Sequence, residues 1–189
     1  MTTGIVLAGV GGQGSLLAGK LLGELLLYEG CDVKVSEVHG MAQRGGSVVT
    51  SVRFGERVFS PVICEGEADY VVAFELLEAA RYAKSLKKGG LLITNTQQIN
   101  PMPVIMGAAE YPAGILEQLQ AEGTKCEALN AHALALEAGL ERAANIVLLG
   151  RLARHMDIAK DNWLQALSRV VKPQFFAANL KAFLAGYAG

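Results

Sequence analysis

Residues 36–47, Ser-Glu-Val-His-Gly-Met-Ala-Gln-Arg-Gly-Gly-Ser, carry the densest chemistry in this chain. Glu37, His39, Gln43 and Arg44 sit among three glycines, between two strand-like segments. A permanently charged, forked guanidinium such as Arg44 holds a carboxylate or phosphate with two parallel hydrogen bonds. An imidazole such as His39 relays a proton near neutral pH or anchors a structural hydrogen bond. The glycines let backbone N–H groups approach a neighbour closely. Such a loop reads as a site or an interface, because functional groups concentrate on loops held by a rigid scaffold. The competing reading is a solvated polar turn.

A second signature precedes it. Gly9-Val-Gly11-Gly12-Gln-Gly14 matches G-x-G-x-x-G, follows a strand-like run and opens a helical pattern. In dinucleotide-binding folds such glycines permit a tight turn and bring a pyrophosphate to a helix N-terminus. Gly9, Gly11, Gly12 and Gly14 are thus a candidate backbone anion site, with Glu37 in the place of a ribose-binding acid. Against this, a glycine-rich loop and a hairpin signature follow the second strand, where a dinucleotide fold would continue strand–helix. The preferred reading is a turn that packs helix to sheet or presents N–H groups to a partner, with a bound phosphate left open.

Elements must position these two motifs. Residues 4–10 form a short apolar run, the pattern of a buried strand. Leu16, Leu17, Leu21 and Leu25 follow with helical spacing up to Gly30, and residues 32–38 read as a second strand. A strand–helix–strand unit makes these two strands parallel with a right-handed crossover. Residues 47–54 and 58–63 both alternate around the Gly55 turn, which predicts an inserted antiparallel hairpin. Residues 69–74 predict another buried strand, with a helix over 76–86 and a strand over 91–94 after Gly89-Gly90. Two strand–helix stretches lie around 111–120 and 126–138, and three helices fill 144–187, the last two separated by Pro173. The expectation is an α/β three-layer domain over residues 1–189, with a mixed, mainly parallel sheet, the inserted β-hairpin and a helical C-terminal part.

Composition narrows the class. Of the 189 residues 51% are hydrophobic and only 19% charged, and the mean hydropathy is +0.31. Apolar area is left over after a core is filled, and large apolar patches mark partner surfaces. A net charge of -1 gives no footprint for nucleic acid or acidic membranes. The apolar stretch at 16–28 is interrupted by Lys20 and Glu24, too short for a membrane span, and no signal-peptide pattern precedes it, so a cytoplasmic location is expected. Cys31, Cys64 and Cys126 are odd in number and widely spaced, which predicts buried free thiols, and no metal site is expected. His132, His155, Lys84, Lys87 and Lys88 read as packed, surface or helix-end residues. Asp69 and Glu75 flank a strand without pairing as acid and base.

Taken together, residues 9–14 and Ser-Glu-Val-His-Gly-Met-Ala-Gln-Arg-Gly-Gly-Ser-Val at 36–48 resemble the gamma-type subunit or domain of the 2-oxoacid:ferredoxin oxidoreductases, most closely the small (beta) subunit of the indolepyruvate type. Phe54-Gly55, Ser60-Pro61 and the run from Ala68-Asp69 to Ala73-Phe74-Glu75 fit the same pattern. The resemblance is strongest over 5–80 and thins in the C-terminal helices. It implies a small subunit that oxidatively decarboxylates a 2-oxoacid to an acyl-CoA only in complex. The large partner would carry thiamine diphosphate, Mg and the iron–sulfur clusters, coenzyme A would be co-substrate, and electrons would leave to ferredoxin through the complex. This chain alone would bind no cofactor. Glu37, His39, Met41, Gln43, Arg44, Gly45 and Gly46 become interface candidates, with Arg44, His39 and Gln43 as contributors at the partner's active site. A homodimer of the isolated chain is left open, and a stand-alone dinucleotide- or flavin-binding protein using residues 9–14 is the alternative.

Overall fold

The computed structural model describes residues 2–39 and 45–189, with the side chain of His39 outside that description. Its elements run β1 (Thr2–Val10), α1 (Ser15–Tyr28), β2 (Asp32–His39), β3 (Ser47–Gly55), β4 (Ala68–Ala73), α2 (Leu76–Tyr82) and β5 (Leu86–Asn95). Then come α3 (Met102–Ile105), α4 (Ile115–Ala121), β6 (Lys125–Leu129), α5 (Ala131–Glu137), α6 (Ala144–Ala153), α7 (Lys160–Val170) and α8 (Pro173–Ala188).

The six strands form one sheet in the order β2-β3-β1-β4-β5-β6. β1, β4, β5 and β6 are parallel, while β3 lies antiparallel to both β1 and β2. β2 therefore points the same way as β1 without touching it, and the sheet is mixed but mainly parallel.

Both faces of β1 are covered, which is why its run is apolar throughout. Ile5 and Leu7 face a large core built with Leu21, Leu22 and Leu25 of α1, Ile146 and Leu149 of α6, Trp163 of α7 and Phe183 of α8. Val6 faces the other way, against a smaller core with Leu76 and Ala79 of α2 and Ile115 and Leu119 of α4. Three layers result. Within the helical layer, α6 and α8 cross in backbone contact: a Cβ on Gly150 would lie 2.1 Å from the Phe183 carbonyl oxygen, and one on Gly186 1.9 Å from that of Val147.

The inserted hairpin is present but made of different strands. β2 and β3 are its arms, joined across residues 40–46, and residues 58–63 form no strand. The expected alternation is not realised there: Pro61 has no N–H for a ladder, and side chains tether the rest. The Asp32 carboxylate accepts the Val58 N–H at 2.8 Å, and Arg53 donates to the Val62 carbonyl at 2.6 Å. With one flank of β3 given to β2, the other is free to pair with β1.

Other readings shift with it. Gly89 and Gly90 lie inside β5 instead of before it, and a Cβ on Gly90 would press on the Ala68 carbonyl oxygen at 3.0 Å. Of the three lysines only Lys84 stands at a helix end, in the last turn of the 3-10 helix after α2, where it also pairs with Glu65 at 2.5 Å; Lys87 pairs with Asp69, and both Lys87 and Lys88 lie on β5. The thiols are not buried as expected, since Cys64 is exposed and Cys31 and Cys126 only half-buried. No helix among the described residues is long and apolar enough to cross a membrane.

Candidate functional site

The glycine turn and the described flanks of the second motif meet at one end of the sheet. β1 and β2 both end there, and β3 starts there, so the turn after β1 lies beside Gly46 and Ser47. Val10 pairs with Ser47 and Gly9 with Val48. Beyond the ladder, the Gly11 N–H donates to the Gly46 carbonyl at 2.8 Å. The Ser15 hydroxyl, on the first residue of α1, reaches the Glu37 carboxylate at 3.4 Å. A cavity of about 340 Å³ opens between them, lined by Gly11, Gly12, Gly14, Ser15, Leu16, Glu37 and Val48. A groove of about 340 Å³ continues along α1 past Gly19, Gly23 and Leu27, facing Val35 and Thr50 of the hairpin. The buried Thr50 hydroxyl has no partner there among the described residues.

Gly9, Gly11, Gly12, Gly14, Glu37, Gly45 and Gly46 all belong to this end. Glu37 lies within β2, the strand expected over 32–38. Met41, Gln43 and Arg44 lie outside the described residues, as does the His39 side chain, whose backbone ends β2. The geometry thus brings together the glycine-turn candidates and the flanks of the second motif.

The turn is built from its glycines and one glutamine. Gly12 (φ 103°) and Gly14 (φ 85°) adopt left-handed backbone that a side chain resists, and Gly14 is the residue at which α1 begins. A Cβ on Gly9 would fall 2.8 Å from the Phe74 ring. Gln13 then straps the turn shut. Its Oε1 accepts the Val10 N–H at 2.7 Å, and its Nε2 donates to the Phe74 carbonyl at 3.0 Å and to Gln97 Oε1 at 3.3 Å. The Gln13 N–H itself donates back to the Val10 carbonyl at 3.1 Å. Asn145, buried at the start of α6, donates to the Gly14 carbonyl at 3.0 Å. Three N–H groups of the turn, those of Val10, Gly11 and Gln13, therefore have acceptors inside the protein.

Sequence reasoning assigned no role to Gln13, Asn145 or the acids of α2. Gln13 was readable in principle, since a glutamine inside a glycine turn is a ready donor and acceptor. Glu75 caps α2 by accepting the Glu78 N–H at 2.9 Å, and also takes the Ile99 N–H at 3.0 Å and the Tyr111 hydroxyl at 2.5 Å. Burial holds the Tyr111 phenol well above its ordinary range, and the hydrogen bond and charge of Glu75 push the same way. Glu78 accepts from the Ser47 hydroxyl at 2.5 Å and from Arg81 at 2.7 Å. Partners of the two acids lie from three to thirty-six positions away along the chain, and the Gly14 partner of Asn145 lies 131 away, so only the fold reveals most of them.

The remaining polar candidates stand elsewhere. His132 lies 3.9 Å from Glu141, and His155 sits 3.0 Å from Glu127 of β6. Burial, followed by the neighbouring Glu127, raises the Cys126 thiol. Among the described residues no three His, Cys, Asp or Glu side chains converge as a metal ligand set.

Comparison with known proteins agrees with this arrangement. The model of the family described as pyruvate ferredoxin/flavodoxin oxidoreductase matches residues 4–189. The indolepyruvate oxidoreductase subunit IorB of Thermococcus kodakarensis is 43% identical over 187 residues, spanning 96% of this chain and 93% of that protein. A protein of the same name from Archaeoglobus fulgidus is 39% identical, over 99% of this chain and 94% of its own length. Among solved structures, the gamma subunit of a keto/oxoacid ferredoxin oxidoreductase from Geobacter sulfurreducens superposes with a TM-score of 0.73 at 26% identity, covering 98% of this chain and 96% of that one. A match running from the fourth residue to the last, with relatives about two-fifths identical from end to end, shows that this chain belongs to the pyruvate ferredoxin/flavodoxin oxidoreductase family.

Proposed function

We propose that the chain is the small subunit of a 2-oxoacid:ferredoxin oxidoreductase that converts an aryl pyruvate, with indolepyruvate as the first candidate, to its acyl-CoA. The observation that carries this reading is the junction of the two motifs, Gly11 N–H on the Gly46 carbonyl, at one rim of the sheet. A protein that lays one surface on a partner needs its distinctive residues side by side, and the glycine turn and the described flanks of the second motif are side by side here. The identity to IorB proteins supports the choice of substrate class.

In this reading the large subunit carries thiamine diphosphate, Mg and the iron–sulfur clusters, and electrons pass through the complex to ferredoxin. The described residues of this chain offer no ligand set for a cluster. Thiamine diphosphate, when bound in the partner, supplies the electron sink that lets a 2-oxoacid lose carbon dioxide. This chain's share is to bind, orient and exclude water. The rim formed by residues 9–14 and the described flanks of the second motif lies over the partner's active site, where a dry surface strengthens every charge interaction. Arg44 holds a carboxylate of the substrate or of the partner in bidentate fashion. His39 and Gln43 supply further hydrogen bonds, and Glu37, Met41, Gly45 and Gly46 complete the contact. Coenzyme A is the co-substrate.

The alternative, a stand-alone dinucleotide or flavin protein, asks the glycine turn for free N–H donors. Internal acceptors already engage three of them. That observation supports docking over cofactor binding.

The test is anaerobic co-expression with a large subunit of the family. The expected result is a brown complex that reduces ferredoxin with an aryl pyruvate and coenzyme A, while the chain alone is colourless and inactive. Arg44→Ala should lower turnover of that complex at least tenfold while leaving the thermal midpoint of the isolated chain unchanged. A chain that remains monomeric beside the large subunit, or that carries a dinucleotide by itself, would refute the reading.

A further inference from the structure

We propose that Glu78 is a positioning residue: from α2 it fixes the point where the glycine turn and the second motif join, and so sets the geometry of the rim. The proposal rests on the subunit reading above. Its basis is a chain of contacts that crosses the smaller core layer.

Glu78 is an anomaly where it stands. Its side chain is only 3% exposed, on a short helix packed against β1 and β4. A buried carboxylate is costly to desolvate, and replacing a whole buried ion pair by apolar residues is often neutral or stabilising. This one has two partners among the described residues. Arg81, one turn along α2, neutralises Oε1 from the half-exposed side, and Oε2 accepts the hydroxyl of Ser47. Stability alone does not account for a charge in that place. The bond to Ser47 does something a leucine cannot: it ties the first residue of β3 to a helix thirty-one positions away.

Ser47 is the hinge of the rim. It pairs with Val10 at the end of β1, and the residue before it supplies the carbonyl that holds Gly11. The post that holds Ser47 is itself pinned. Glu75 caps α2 and binds Ile99 and Tyr111, and the Leu76 N–H donates to the Gln97 carbonyl at 2.9 Å. Gln97 in turn receives the strap of Gln13. One loop of contacts therefore runs from the glycine turn through Gln97 and α2 to Ser47 and back to the turn. Glu78 closes it.

A positioning role separates from a merely structural one because Glu78→Met keeps the volume and removes the charge. The expected result in the reconstituted complex is that Glu78→Met and Ser47→Ala each weaken binding of the large subunit about tenfold or more, as for a lost hydrogen bond to a charged group. Turnover falls while the KM for the 2-oxoacid holds. The thermal midpoint of the isolated Glu78→Met chain falls by no more than that of Val171→Ala, so the loss of affinity does not follow the loss of stability. Glu78→Gln and Ser47→Thr restore most of the affinity, and the double variant Glu78→Met/Ser47→Ala is no worse than either single one. Val171→Ala, a core truncation in the C-terminal helices, lowers the midpoint without changing affinity.

Wild-type affinity and turnover in Glu78→Met, additive losses in the double variant, or a loss of affinity in Val171→Ala as large as its loss of stability would each overturn the proposal. If the wild-type chain itself fails to assemble with the large subunit, it is the subunit reading that fails.

Discussion

Gln13 offers the most direct check on how the glycine turn is closed. Gln13→Ala removes three hydrogen bonds: to the Val10 N–H, the Phe74 carbonyl and Gln97. Each is worth about 0.5–1.5 kcal/mol net, and the half-buried Val10 N–H left without a partner adds its own desolvation penalty, so the loss should be about 2–4 kcal/mol. For a chain of this length that lowers the thermal midpoint by roughly 5–15 °C. Gln13→Glu makes a sharper test. The carboxylate still accepts from Val10, but its second oxygen now faces the Phe74 carbonyl, which also accepts from Asn95 and cannot turn away. Protonation lets that oxygen donate again, so the folded state raises the pKa of the introduced group above the ordinary glutamate value of about 4.3. A raised folded-state pKa gives stability that is present below the unfolded value and lost as pH rises through the folded one. Q13E should thus approach the wild type near pH 4 and fall well below it at pH 7. Urea unfolding at the two pH values, followed by far-UV circular dichroism, measures both effects. A Q13A variant within about 0.5 kcal/mol of wild type, below the worth of one such hydrogen bond, would refute the strap as drawn.

Two further outcomes follow from the packing and the titrating groups. Gly186→Ala drives a methyl into the Val147 carbonyl oxygen, against backbone that cannot yield, and should cost about 3 kcal/mol or more as α8 lifts from α6; loss of the near-ultraviolet signal of the buried Trp163 reports it. Tyr111→Phe should cost about 1–2 kcal/mol at pH 7 for the lost bond to Glu75. Because the folded state raises the Tyr111 pKa, its contribution is fully present below the ordinary tyrosine value of about 10 and is lost as pH rises beyond it. Stability of Y111F, followed by denaturant midpoints between pH 9 and 11, should therefore decline less steeply than that of the wild type. Tyr70, also raised by burial, keeps part of the slope in both proteins.

Elements whose faces see one kind of neighbour were legible without coordinates. The apolar run of β1 reads as a strand buried on both sides, and it is one. The periodicities of α1, α6, α7 and α8 place helices within a few residues of their observed ends. The second hairpin arm expected at 58–63 is not a strand: Val58 is buried while Val62, which alternation would put on the same face, is 58% exposed, and Phe59 is 82% exposed. Side-chain tethers from Asp32 and Arg53 hold the segment as a loop. The lysines before Gly90 look like a helix terminus in one dimension, but Glu65 and Asp69 claim two of them in three.

What residue order alone determined is local: glycines placed where a turn needs them, polar groups gathered at 36–47, and apolar periods that name each element and its buried face. Those properties depend on neighbours within one turn of helix or two steps of strand. The tertiary structure decided the rest, by inserting β3 between β2 and β1. That choice depends on which strand flank is left unpaired and which register buries Val48, Thr50 and Val52, quantities set by partners far along the chain. It brings Gly11 against Gly46, and it leaves Glu78 to reach Ser47 through a core where no pattern in the sequence announces a carboxylate.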